Sequence, residues 1–152
     1  MSSRETASVL ARARALQHSA LAGTTQPLLR GKNIGLMCEA DDAADSTLFR
    51  RAASGLGAHV AHIRPSLSEL STPHDVQHTA RLLGRLYDAV ECQGVAAAIV
   101  LRLGDEAGIP VFDGLASAGH PTTHLAGLLG GDAAANGNRG FVVQAVLLGA
   151  IT

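Results

Sequence analysis

A chain of 152 residues has the size of one domain and can bury a continuous core, which leaves little room for a two-domain enzyme. Hydrophobic residues make up 47% against 16% charged, a balance that excludes a disordered chain and predicts a packed globule. The formal net charge is −1 and Lys or Arg form no run, so nothing marks the chain as a partner of nucleic acid or of an anionic membrane.

Met1 to Val9 includes Arg4 and Glu5 and leads into no signal-type apolar stretch. The most apolar segment, Phe141 to Ile151, falls short of the ~20 residues that a membrane span needs, so the expected location is the cytoplasm. Cys38 and Cys92 are far apart and lack metal-type spacing, which predicts two buried free thiols.

In chain order, Val9, Ala13, Leu16 and Ala20 place small apolar residues at helical spacing, and Gly23 with Pro27 ends that helix. The short apolar run Asn33 to Cys38 predicts a strand covered on both faces. Asp41 to Asp45 opens a second helix whose inner stripe is Phe49, Ala52, Ala53 and Leu56. Ala58 to Ile63 is the next strand, and Pro65 to Pro73, with four serines, a loop. Val76, Ala80, Leu83 and Tyr87 mark the buried face of a third helix, with Arg81 and Arg85 on its polar side.

Asp88 to Cys92 gives a third strand, Val95 to Ala107 a helix, and Ile109 to Phe112 a fourth strand. His120-Pro121 starts a helix running to Gly130. Gly131 to Gly137 is a small-residue linker, and from about Asn138 a final helix is apolar nearly all round, with Gln144 its strongly polar interior residue. Such a helix must be buried against the domain or another chain. Alternating strands and helices predict a three-layer α/β/α domain around a parallel sheet of four strands or more.

Several words in the sequence are more specific than the pattern of elements. They are Leu29-Arg30-Gly31-Lys32-Asn33-Ile34, Leu56-Gly57-Ala58-His59-Val60, the run Thr79 to Asp88, Ile109-Pro110-Val111, Gly114-Leu115 and His120-Pro121-Thr122. From Gln26 to Leu129, without a gap, they resemble the carbamoyl-phosphate half of ornithine carbamoyltransferases, in the aspartate/ornithine carbamoyltransferase family. Asn138-Arg139 followed by Gln144 to Leu148 is similar to the family's C-terminal helix, which comes after the ornithine domain and packs back on the first. The resemblance therefore implies an N-terminal helix (1–25), a βαβ core (26–130), a linker (131–137) where the second domain is deleted, and a return helix (138–152). Retaining that helix keeps several large side chains covered, each at roughly 1.5–3 kcal/mol.

The resemblance also implies where an anion would sit. The family holds carbamoyl phosphate with a Ser-Thr-Arg-Thr-Arg motif at the second helix, an arginine after the third strand and a His-Pro-x-Gln segment. Counting from Glu39 to Gly57, the motif falls on Asp42, Ala43, Ala44, Asp45 and Ser46, so both arginines are gone. The third-strand arginine becomes Gln93, the glutamine Thr123, and a lysine before the third helix Pro73, while His120 is kept. At roughly 1.5–3 kcal/mol per charge-assisted bond, losing three arginine contacts costs on the order of 5 kcal/mol. That is roughly a thousandfold in affinity at least. Asp42 is expected to cap the helix with Asp45 in its first turn, placing acid where a phosphate would bind.

On this reading the chain is a non-catalytic module without cofactor or metal. His120/His124 and His74/His78 have i,i+4 spacing but no further ligand, and Asp41, Asp42 and Asp45 lack the glycine-punctuated spacing of a Ca²⁺ loop. The family's trimers, built through this domain, imply a homo-oligomer, a trimer above all, or a hetero-oligomer with a full-length relative. Two alternatives stay open: a remodelled pocket of Asp42, Asp45, Gln93 and His120 for a cationic or neutral small molecule, and a carbamoyltransferase active only in complex with another chain.

Overall fold

The structure, a computed structural model, describes residues 2–40, 42–68, 71–131 and 135–152, with the side chains of 135 and 136 left aside. Its elements are α1 (Ser3–Leu21), β1 (Asn33–Met37), α2 (Ala44–Gly55), β2 (His59–Ile63), α3 (Pro73–Leu86), β3 (Ala89–Cys92), α4 (Ala97–Ala107), β4 (Val111–Asp113), α5 (Leu125–Leu129) and α6 (Ala135–Ile151). The four strands pair in the order β2-β1-β3-β4, all parallel, as the alternation of elements predicts. Parallel neighbours need crossovers, and the helices supply them on both faces.

Because strand side chains alternate, each strand feeds two cores. Ile34, Leu36 and Cys38 point into one that also holds Phe49, Leu56, Leu115 and Leu147, under α1, α2, α5 and α6. Met37, Val90 and Cys92 point into the other with Val76, Leu83, Ile99 and Leu103, under α3 and α4. Across the second core α3 and α4 approach so closely that a Cβ at Gly84 would collide with the Ala107 carbonyl, which is why glycine stands in an otherwise strong helix.

Helix ends follow local chemistry. Ser2 and Glu5 form a capping box on α1, and Thr72 and Asp75 form one on α3, with Pro73 in the first turn. The α2 terminus corrects the expectation for Asp42: the N-cap is Ala43, which offers no side-chain bond, and Asp42 lies one residue before it. Asp45 does fall in the first turn. Asp41 lies outside the described residues.

The segment after β4 differs more from expectation. Instead of a helix from His120 to Gly130, turns run to His124 and only Leu125–Leu129 is helical. The side chains there bond locally: Thr123 Oγ1 donates to the Ser117 carbonyl at 2.7 Å, and Thr122 Oγ1 lies 2.8 Å from His120 Nδ1. Such side-chain competition for the backbone disfavours helix. Conversely α6 begins at Ala135, so the end of the expected linker is helical, while 132–134 are outside the described residues.

The inner stripe of α1 carries Gln17 rather than Ala20, which is exposed. Gln17 Nε2 donates to Asn138 Oδ1 at 3.1 Å and to the Gly130 carbonyl at 3.0 Å. Asn138 Nδ2 in turn lies 3.2 Å from the Gly130 carbonyl and 3.4 Å from that of Ala126. This buried amide pair fixes α6 against α1 and α5, and Gln144 adds a 2.9 Å bond to the Ala52 carbonyl of α2. Among the described residues no helix is long and apolar enough to cross a membrane.

Candidate functional site

Strand ends in an open parallel sheet present loops and helix starts at one edge, where ligands of such folds bind. Here that edge is formed by the start of α2, the residues after β3 and the segment after β4. Ser46, buried in the first turn of α2, donates to Gln93 Oε1 at 2.7 Å. Gln93 Nε2 faces two acceptors, the Asp45 carbonyl at 3.2 Å and Glu91 Oε2 at 3.3 Å. The Gln93 side chain is thus tied on both ends to the protein itself. Cys38 Sγ, at the end of β1, lies 3.7 Å from Ser46 Oγ.

Glu91 is the residue that sequence reasoning missed. It has no exposed surface, and its oxygens accept from the amides of Leu115 at 2.9 Å and Ala116 at 3.0 Å. Burial pushes its carboxyl up to about 7, outweighing the Ala116, Leu115 and Gln93 bonds that favour the charged form, and nearby Asp113 adds to the rise. The signal was an acid in the apolar strand Ala89-Val90-Glu91-Cys92, since a buried charge needs hydrogen-bond partners. Burial, with Glu91 and Asp113 beside it, also pushes the Cys92 thiol up to about 12, so Cys92 stays protonated. Both cysteines are free and buried, as expected.

The other expected site residues divide. Asp45 and Ser46 meet Gln93, whereas Asp42, Ala43 and Ala44 are exposed at the start of α2. His120 and Thr123 bond within their own segment. The Thr122 amide can only donate, so its 3.2 Å contact makes His120 Nδ1 an acceptor. Burial holds the His120 imidazole below its ordinary value, against the opposing pull of Asp113. His120 and Pro121 line a groove of ≈ 610 Å³ with Val9 and Arg12 of α1 and Ala145 and Val146 of α6. Arg139 of α6 donates to the Ala116 carbonyl at 2.6 Å and, with Arg51, lines a separate groove of ≈ 460 Å³ between α2 and α6.

Pro73 is taken up as the first residue of α3, and Arg81 and Arg85 are exposed. His74, His78 and His124 are exposed too. Among the described residues no group of three or more His, Cys, Asp or Glu is placed to hold a metal ion.

Residues 1–130 match the profile described as aspartate/ornithine carbamoyltransferase, carbamoyl-P binding domain. The chain belongs to that family. It is 41% identical over 126 residues to an ornithine carbamoyltransferase of Actinobacillus pleuropneumoniae, covering 83% of this chain and 38% of the relative. An ornithine carbamoyltransferase of Cutibacterium acnes is 42% identical over 114 residues, covering 75% and 34%. Among solved structures, ornithine carbamoyltransferase from Pyrococcus furiosus superimposes with a TM-score of 0.70 at 26% identity, over 83% of this chain and 40% of that one. The carbamoyltransferase-like chain thus spans little more than a third of the length of the curated relatives it matches.

Proposed function

We propose that this carbamoyltransferase-like domain is a non-catalytic structural or regulatory module of the cytoplasm, acting as an oligomer. One observation carries the reading. Gln93, at the position where the resemblance implies an arginine for phosphate, is bonded to Ser46, the Asp45 carbonyl and Glu91. A dianion entering there would have to displace those bonds and face Asp45 and Glu91, with no guanidinium from the expected motif to compensate. Helix amides at the start of α2 remain an anion-attracting feature, yet Asp42 and Asp45 beside them oppose it.

Retention of the whole α/β framework and of an apolar α6 beside this altered edge supports a role in assembly. The partner in this reading is a second copy of the chain, as a trimer, or a full-length relative that supplies a second domain. Isothermal calorimetry of the purified chain with carbamoyl phosphate is expected to show no binding at micromolar concentration, and light scattering at tens of micromolar to show an oligomer. Micromolar binding, or citrulline formation by the chain alone, refutes the non-catalytic part; a monomer with no co-purifying partner refutes the oligomeric part.

A further inference from the structure

Among the described residues, Glu91 is the buried side chain that carries a carboxyl, and elements from both sides of the sheet edge converge on it. Its own strand β3 places it between its register neighbours Leu36 on β1 and Phe112 on β4. The turn after β4 donates the Leu115 and Ala116 amides, and Gln93 links the same carboxylate to the first turn of α2. These donors are neutral N–H groups. The charged or titratable groups nearby are Asp113 at the end of β4, Cys92 on β3, His120 in the following segment and Arg139, which bonds the Ala116 carbonyl from α6.

We propose that Glu91 is a proton-operated latch: protonated, it keeps the segment 114–123 closed over the sheet edge, and ionised, it favours release of that segment into water. The physical basis is the cost of a carboxylate without water or a cationic partner. Two amides and a side-chain N–H soften that cost but do not abolish it, because desolvation remains the largest influence on the group. Opening hydrates the carboxylate, and in water it ionises in the ordinary carboxylate range. Between that range and about 7, the closed form binds a proton that the open form has lost, so rising pH drives opening. Below the window both forms are protonated and above it both are ionised, so the dependence levels off on each side.

The consequence reaches beyond the turn. The released segment carries His120, Thr122 and Thr123, and its Ala116 carbonyl anchors Arg139. Opening therefore changes the groove lined by His120 and frees the α6 guanidinium that borders the groove between α2 and α6. The latch goes beyond the non-catalytic reading and does not depend on it.

Hydrogen exchange of the Leu115 and Ala116 amides in the intact chain, followed from about pH 5 to 8 and corrected for intrinsic exchange rates, tests this directly. The opening equilibrium is expected to rise by up to about a hundredfold, less the opposing contribution of His120, up to about pH 7 and then level. Glu91→Gln removes the rise and is expected to leave only the opposite dependence of His120, whose lowered pKa makes opening fall as pH rises toward its ordinary value. Asp113→Asn, at an exposed position, removes a nearby negative charge and should move the rise to lower pH. Wild-type opening that is flat across the range, or an equal rise in Glu91→Gln, overturns the latch. Should Glu91→Gln not fold, an unmoved midpoint in Asp113→Asn overturns it instead.

Discussion

Ser46 Oγ and Gln93 Oε1 lie 2.7 Å apart, joining the first turn of α2 to the end of β3. The bond explains how this edge of the sheet is satisfied without an anion. Gln93 uses its carbonyl on Ser46 and its amide on Asp45 and Glu91, so one neutral side chain bridges a helix start and a buried acid.

Gln93→Ala is accordingly expected to destabilise the chain by about 1–3 kcal/mol, because it leaves the Ser46 hydroxyl without its acceptor and takes a donor from Glu91. For a chain of this size that corresponds to a fall in Tm of roughly 2–4 °C per kcal/mol. Differential scanning calorimetry of the two proteins measures it. An unchanged Tm would mean that the bridge contributes nothing to folding.

The capping geometry separates substitutions at two helix starts. Thr72→Ala removes a reciprocal capping box on α3 and is expected to cost about 1 kcal/mol. Asp42→Ala removes no cap, since the N-cap is Ala43, and should stay within about 0.5 kcal/mol of the parent. Urea unfolding resolves the difference. A larger loss for Asp42→Ala than for Thr72→Ala would restore Asp42 as the cap.

Much of this architecture was legible because apolar periodicity reports burial. Phe49, Ala52 and Ala53 on α2 and Val76, Ala80 and Leu83 on α3 are buried where helical spacing placed them. Asp45, Ser46 and Gln93, far apart in sequence, are neighbours at the sheet edge. What stayed hidden depends on three-dimensional hydrogen bonding. Thr122 and Thr123 turn the chain back on His120 and Ser117 instead of continuing a helix, and nothing in their spacing announces those bonds. Gln17 reads as a polar break in an apolar stripe until Asn138, far away in sequence, is seen to accept from it. Glu91 is likewise intelligible only once the amides of Leu115 and Ala116 are in place.

Asn138→Ala tests that long-range amide pair. It removes the acceptor of Gln17 Nε2 and a donor to the Gly130 carbonyl, while Gln17 keeps its own bond to Gly130. With one partner kept, the expected loss is about 1–2 kcal/mol, toward the lower part of the range for a buried polar group deprived of a bond. Gln17→Leu combined with Asn138→Ala should cost less than the sum of the single changes, since the double variant leaves neither amide waiting for the other. Strict additivity in chemical denaturation would show that the two side chains act independently.

Global stability should carry the signature of Glu91 in a direction opposite to that of an ion-paired acid. Its carboxyl is raised from 4.5 to about 7 in the folded chain, so between those values the folded state holds a proton that the unfolded state has released. Stability is therefore expected to fall as pH rises through that window and to be flat above it, by about 3 kcal/mol at most. His120 works the other way: burial lowers its pKa, so its contribution grows as pH rises toward its ordinary value of 6.5. The two partly cancel in the parent chain, and the comparison of parent with Glu91→Gln isolates the carboxyl. Urea unfolding at about pH 5 and pH 8 should show the variant gaining stability relative to its own acid value while the parent gains less or loses. Identical pH dependence in both proteins would mean that Glu91 ionises alike in the folded and unfolded chains, against the burial that the structure gives it.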